Sequence, residues 1–262
     1  MLKAKISPSM MCANLLDIKK DLEELKKAEV EYLHIDIMDG TFVPNFTLGT
    51  DFVKQMKKRT TIPLDLHLMI SDPETKLDFF EFGENDIAKN FRKVSDIPFD
   101  YHLMIVEPTK KIDWFELKEN DMLSFHIEAE GNVEEGLRKI KEKKAKAGLA
   151  ISPNTPVSSV YPYLDMLDFC VVMCVHPGFA GQKMIPETLE KIKELRNYLD
   201  TNGYQHIMIE VDGNVSFENS TKMRNKGADI FVGGTSSVFN QNGIVDCVKD
   251  FRESIKKGEN NE

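Results

Sequence analysis

In the stretch "EYLHIDIMDG", His34 and Asp36 stand two residues apart, with Leu33, Ile35 and Ile37 at the alternate positions. On a strand, that spacing puts the imidazole and the carboxylate on one face and the aliphatic side chains on the other. The same alternation recurs in "LDLHLMI", where Asp65, His67 and Met69 share a face. In "HIMIEVDGN", Asp212 ends an apolar run and Gly213 follows it. Charged groups on an inward face are costly unless they bind a metal or one another. Two histidines and two carboxylates at strand ends make a nitrogen and oxygen site suited to a divalent transition metal. A lone strand histidine is most simply a hydrogen-bonded core residue, and Asp-Gly is most simply a turn. Several such intrusions at strand ends together favour chemistry.

A second group of residues is rich in glycine. "VHPGFAGQ" carries Gly178 and Gly181, "VDGN" carries Gly213, and "VGGTSS" carries Gly233, Gly234, Thr235 and Ser236. Each follows a strand-like run. Backbone amides and hydroxyls in the last loops of a barrel commonly cradle phosphate. An anion bound there is met by local dipoles, which suits a chain whose net charge is −9. That acidic balance speaks against bulk nucleic-acid binding.

These residues need elements to hold them. Short apolar runs alternate with charged stretches of three- and four-residue periodicity, such as "DIKKDLEELKKAEV" and "ETLEKIKELRNYLD". This alternation predicts an α/β fold with a parallel sheet covered by helices. The length of 262 residues suits one (βα)8 TIM barrel. The runs number nine: "AKISPSMM", "EYLHIDIM", "IPLDLHLMI", "IPFDYHLMI", "MLSFHIEA", "KAGLAIS", "DFCVVMCV", "HIMIEVD" and "DIFVGG".

The surplus strand comes from a tandem duplication. Residues 51–85 align without gaps to residues 86–120, with roughly half the positions identical. The tetrapeptide "HLMI" thus occurs at His67–Ile70 and again at His102–Ile105. Strand number and shear are linked in a barrel, so the expectation is that one copy stands in the wall and the other is displaced. The first copy is favoured for the wall. Its outward residues Leu64, Leu66, Leu68 and Ile70 are all apolar, whereas the second copy puts the Tyr101 hydroxyl on that face.

One domain is expected over 1–255, followed by a polar tail at 256–262. Cys12, Cys170, Cys174 and Cys247 form no disulfide framework, and no apolar run is long enough to span a bilayer. A reduced, cytoplasmic protein without membrane or nucleic-acid partners is the expectation, and a homo-oligomer is expected as well.

The segments "ISPSMMCANL", "HIDIMDGTFVPNFTLG", "HLMI", "VMCVHPGFAGQKMIP", "IEVDGNVS" and "FVGGTSSVF" resemble the ribulose-5-phosphate 3-epimerase family of barrels. The resemblance runs from about Ile6 to Phe239. It implies a metal-dependent isomerase that inverts C3 of a ketose phosphate through an enediolate. His34, Asp36, one HLMI histidine (His67, with His102 its duplicate) and Asp212 are then ligands of one divalent ion such as Zn2+, Fe2+, Mn2+ or Co2+. Asp36 and Asp212 are the acid and base on opposite faces of C3. Substrate contacts fall on Ser9, His67, Gly178, Phe179, Ala180, Gly181, Asp212, Gly213, Asn214, Gly234 and Thr235. Met38, Met69 and Met173 form an apolar lining. Within the family, "PGFAGQ" and "GTSSVFN" are similar to the branch acting on D-allulose 6-phosphate and D-fructose 6-phosphate, the expected substrates. D-Ribulose 5-phosphate and D-xylulose 5-phosphate are the alternative. A phosphate-binding barrel with lyase or decarboxylase chemistry would need a lysine beside the acids, and none stands clearly at a strand end. A non-catalytic phosphosugar-binding barrel is the reading from another class.

Overall fold

The computed structural model describes residues 2–71, 98–179 and 181–259. All nine apolar runs form strands: β1 (Lys5–Pro8), β2 (Leu33–Met38), β3 (Leu64–Ile70), β4 (Phe99–Ile105), β5 (Met122–His126), β6 (Lys146–Ile151), β7 (Phe169–Met173), β8 (Met208–Asp212) and β9 (Ile230–Gly233). The described helices of eight residues or more are α1 (Ile18–Lys27), α2 (Thr50–Arg59), α3 (Val133–Glu142), α4 (Glu187–Thr201), α5 (Phe217–Asn225) and α6 (Ile244–Glu259). Between β6 and β7 the connection is a 3-10 helix, Val157–Met166. Residues 256–259, expected as the start of a polar tail, continue α6 instead, with Gly258 buried against α5.

The strands form one parallel sheet in the order β1-β9-β8-β7-β6-β5-β4-β3-β2. The two ends of this order meet. A parallel bridge joins Ser9 to His34, and the Glu31 and Tyr32 amides both donate to the Ile6 carbonyl at 3.3 Å. The result is a nearly closed (βα) barrel, as the alternation predicts, with nine strands in place of eight.

The duplication explains the count and corrects one expectation: neither copy is displaced. β3 and β4 pair along their full length, with Leu64 opposite Phe99, His67 opposite His102 and Ile70 opposite Ile105. β3 also pairs with β2, and β4 with β5. The reason is burial on both faces. The outward residues of β4, Phe99, Tyr101, Leu103 and Ile105, are all buried. Each such side chain is worth roughly 1.5–3 kcal/mol when taken out of water. The Tyr101 ring packs against Phe99 at 5.3 Å and Phe115 at 5.1 Å, so the outward tyrosine is accommodated. Phe115 belongs to the same copy, so the repeat brings its own cover. Residues 72–97, which hold the end of the first copy and the helix expected in the second, lie outside the described residues.

The outward faces of the strands join the helices in one large apolar cluster. Inside the barrel, a smaller cluster of Met122, Ala150, Phe169, Val171, Met173 and Ile230 fills one side. Buried polar side chains of β2 to β5 and of β8 also face the interior. The strand ends are held by specific bonds. Past the end of β5, Glu128 accepts from the Ser152 amide at 2.8 Å, from the Thr155 hydroxyl, and contacts His126 Nδ1 at 3.1 Å. Burial pulls the Glu128 carboxyl upward, but the bonds from His126, Thr155 and Ser152 outweigh it and hold its pKa at about 2, against 4.5. A depressed carboxyl stabilises the fold above its unfolded pKa, and that contribution is lost as pH falls through the folded value. Chemical denaturation of wild type and Glu128→Gln from pH 7 to pH 2 checks this. The wild type is expected to be the more stable at pH 7, with its advantage shrinking between about pH 4.5 and pH 2. An advantage that stays constant across that window would contradict the assignment.

Candidate active site

The register of β2 on β3 sets Asp36 opposite His67 and His34 opposite Asp65. Since alternate residues face inward, all four side chains point into the barrel. His34 lies at the centre of a buried polar chain. Its Nδ1 is 2.6 Å from Asp65 Oδ2 and its Nε2 is 3.1 Å from Asp36 Oδ1. Ser7 on β1 donates to Asp65 Oδ2 at 2.9 Å, and Ser9 donates to Asp36 Oδ2 at 2.7 Å. His67 Nδ1 lies 3.3 Å from Asp36 Oδ1 and 3.6 Å from Asp212 Oδ2. Asp212 reaches this point from the end of β8, so three strands converge here.

Electrostatics follow from this packing. Burial works against a charge on His34, but Asp65 and Asp36 outweigh it and hold its pKa well above 6.5. Burial likewise works against the Asp36 carboxylate, and His34 and His67 override it, so its pKa is well below the usual range. Asp212 is shifted the other way: burial raises it, and His34 and His67 only partly offset the rise. Deeper in the barrel, Glu210 is raised by burial and by Asp65 and Asp100.

A divalent cation fits this set on two observations. One ligand atom each from His34, His67 and Asp212 lies within 4.8 Å of the others. The Nδ1 atom of His67 is buried and, among the described residues, makes no hydrogen bond of good geometry, although two carboxylates lie 3.3 and 3.6 Å away. Asp36, in contact with both imidazoles, completes a set of two nitrogens and two carboxylates, a donor set that suits a borderline ion such as zinc. A second grouping, His34 with Asp65 and Glu210, lies fully buried beneath it. There Asp65 acts as the outer hydrogen-bond partner of His34, leaving Nε2 to face the mouth.

The duplicate histidine takes no part in this set. His102 stacks on His67 with ring centroids 4.1 Å apart and on His126 at 5.1 Å. Burial, His67 and His126 push its pKa well below 6.5, so it is neutral, and its Nε2 has no hydrogen-bond partner among the described residues. Asp36 sits on β2 and reaches only the adjacent strand. The two HLMI stretches are therefore both wall strands, and of their two histidines it is His67 that lies beside Asp36 and Asp212.

Above these residues opens a cleft lined by Ser9, Asp36, Met38, His67, Met69, Met173, Asp212, Gly213, Asn214, Gly178, Phe179, Gly181, Gly234 and Thr235. Almost every residue expected from the sequence is thus on one surface; His34 lies just beneath it, and Ala180 lies outside the described residues. The three glycine loops follow β7, β8 and β9. At Gly213 the φ is +114°, and an added Cβ would lie 2.8 Å from the Val175 backbone nitrogen, so only glycine fits. Asn214 follows at φ +50° and accepts from the Met184 amide at 3.2 Å, tying the β8 loop to the β7 loop. Asn45 donates to the Gly178 carbonyl at 3.1 Å and fixes the β7 loop from the β2 side. Among the described residues, no lysine or arginine lines the cleft, so an anion here would be met by backbone dipoles. Ser236 lines it too, as do Met11, Cys12, His176 and Gln182, which were not expected to face a site. Met11 and Cys12 sit on the 3-10 helix Met10–Cys12 and the other two on loops, where strand alternation gives no facing rule.

The sequence model of the ribulose-phosphate 3 epimerase family matches the chain in two pieces, residues 5–87 and 80–239, each containing one copy of the duplicated unit. The ribulose-phosphate 3-epimerase of Bacillus subtilis is 34% identical over 250 residues, covering 95% of this chain and 99% of that protein. The ribulose-phosphate 3-epimerase of Escherichia coli is 32% identical over 254 residues, covering 96% of each. Among solved structures, 3-hexulose-6-phosphate synthase from Salmonella typhimurium superposes with a TM-score of 0.55 at 11% identity, covering 97% of this chain and 99% of that one. The tryptophan synthase alpha subunit of Legionella pneumophila gives 0.53 at 13% identity, covering 97% and 93%. At those identities the structures speak for the barrel alone. The match in sequence along nearly the whole length is what assigns the chain: it belongs to the ribulose-phosphate 3-epimerase family, a family of isomerases.

Proposed function

We propose that this protein inverts C3 of D-ribulose 5-phosphate to give D-xylulose 5-phosphate, and the reverse. The observation that carries the reading is the convergence of His34, His67, Asp36 and Asp212 beneath a cleft rimmed by three glycine loops. The relatives named above are ribulose-phosphate epimerases, which supports a pentulose phosphate over the hexulose phosphate expected from "GTSSVFN" and "PGFAGQ". The two substrates differ by one carbon, a difference that short loop motifs discriminate weakly.

His34, Asp36, His67 and Asp212 would hold one divalent cation, which when bound supplies Lewis acidity toward the oxygens on C2 and C3 of the sugar. The remaining steps belong to the chain. The glycine loops after β7, β8 and β9 receive the phosphate. Asp36 rises from β2 and Asp212 from β8, strands separated in the wall by β9 and β1. Carboxylates that approach C3 from two sides can remove a proton from one face and return one to the other. Ser9 donates to Asp36 Oδ2 and so fixes the carboxylate with Oδ1 turned to His34 and His67. Met38, Met69 and Met173 keep water from the carbanion-like intermediate by presenting thioether surface.

Two measurements test the reading. Asp36→Asn and Asp212→Asn are each expected to lower kcat about 100- to 10,000-fold, the range for loss of a proton-transfer group. Near-normal turnover in either would remove that residue from the role. The second concerns the paired histidines. His67→Ala is expected to lose bound divalent metal and turnover together, while His102→Ala, which removes only a ring stacked on His67, keeps one metal per chain at no more than a weakened affinity. Elemental analysis of both variants decides this, and metal loss confined to His102→Ala would reverse the assignment.

A further inference from the structure

His67 has two ring nitrogens in unlike surroundings. Nδ1 faces Asp36 and Asp212, at 3.3 and 3.6 Å. Nε2 points the other way and lies 3.0 Å from Met104 Sδ, on the strand that the duplication adds. That sulfur belongs to a buried cluster with Met38, Val43 and Met69, so it does not wander freely. The ring plane is fixed as well: the His102 ring lies 4.1 Å away and only 10° from parallel. Both contacts come from β4, one from each of its inward positions nearest His67.

We propose that the duplicated strand positions the metal-binding histidine: Met104 Sδ accepts the His67 Nε2–H, and the His102 ring backs the imidazole, so that Nδ1 stays aimed at Asp36 and Asp212. This rests on the reading of His67 as a metal ligand. A neutral imidazole carries one N–H, and a buried N–H needs an acceptor. A thioether is a weak acceptor, yet it is the one within reach of Nε2 in the described structure. With the proton on Nε2, the lone pair is on Nδ1, which is the tautomer a ligand at that nitrogen requires. A ring turned over about its Cβ–Cγ bond would present carbon to both the carboxylates and the sulfur, losing both interactions at once. Outer hydrogen-bond partners of ligating histidines set ring orientation and tune metal affinity. Met104 is therefore a positioning residue, acting through His67. The copied strand has become part of the support of the site in the neighbouring copy.

The test uses the full chain stripped of metal and titrated with Co2+ against a fluorescent chelator. Met104→Leu keeps the volume and removes the acceptor. It is expected to bind Co2+ about tenfold more weakly, the low end for loss of an outer partner, with a shifted Co2+ absorption spectrum. Met104→Gln, whose amide oxygen is a stronger acceptor, is expected to regain the lost affinity. A Met104→Leu protein with unchanged affinity and an unchanged spectrum overturns the proposal. Nitrogen-15 spectra of the zinc-loaded wild type give a reading independent of any variant. Protonated Nε2 and metal-bound Nδ1 on His67 support the proposal, and the reverse arrangement overturns it. A wild type that binds no divalent ion would overturn the metal reading itself, a result distinct from equal binding by wild type and variant.

Discussion

The pairing of β2 with β3 is the constraint on which the mouth of this barrel depends. In the observed register Asp36 stands opposite His67, and every inward position of one strand meets an inward position of the other. A slip of one residue would turn His67 to the helices and Leu66 or Leu68 to the interior, because side chains alternate with a period of two. The polar chain from Ser7 through Asp65, His34 and Asp36 to His67 requires that register at each link. The site is thus a product of strand pairing before it is a product of side-chain chemistry.

The duplication is absorbed because it respects the same rule. The unit repeats 35 residues of sequence in tandem, so β4 presents the alternation of β3 without a phase change and pairs with it position for position. What the copy cannot reproduce is its neighbourhood. β4 stands one strand further from Asp36, about 4.8 Å along the sheet. Asp100 Oδ1, His102 Nε2, Ser124 Oγ and His126 Nε2 are all buried without a hydrogen-bond partner among the described residues, and all lie on β4 and β5. Burial and Asp65 raise the Asp100 carboxyl well above its usual range. An inward-facing polar strand was placed where its partners are not, and the interior there is correspondingly unbalanced.

Much of the fold was legible in the sequence. All nine strands fall on the apolar runs, since buried parallel strands are continuous in hydrophobic residues and bounded by turn signals. His34, Asp36, His67 and Asp212 were legible because a charged residue inside such a run has few explanations. The fate of the extra strand was not legible. Strand number is a property of the closed barrel, and no local pattern reports whether a ninth strand enters the wall. The outward Tyr101 counted against the second copy when read alone; Phe99 and Phe115 around it make the position apolar enough to hold the ring. Cys12, His176 and Gln182 were not expected at the cleft for a related reason: a short 3-10 helix and loops bring them there by backbone paths that strand periodicity does not encode.

The central claim is that the ninth strand joins the wall and leaves the site with the first copy. Crystals of the protein grown with Co2+ and measured at the cobalt absorption edge locate the ion directly. One anomalous peak per chain is expected among His34, Asp36, His67 and Asp212, with β3 and β4 side by side. A peak at His102, or a barrel of eight strands with either HLMI copy outside it, would contradict the account.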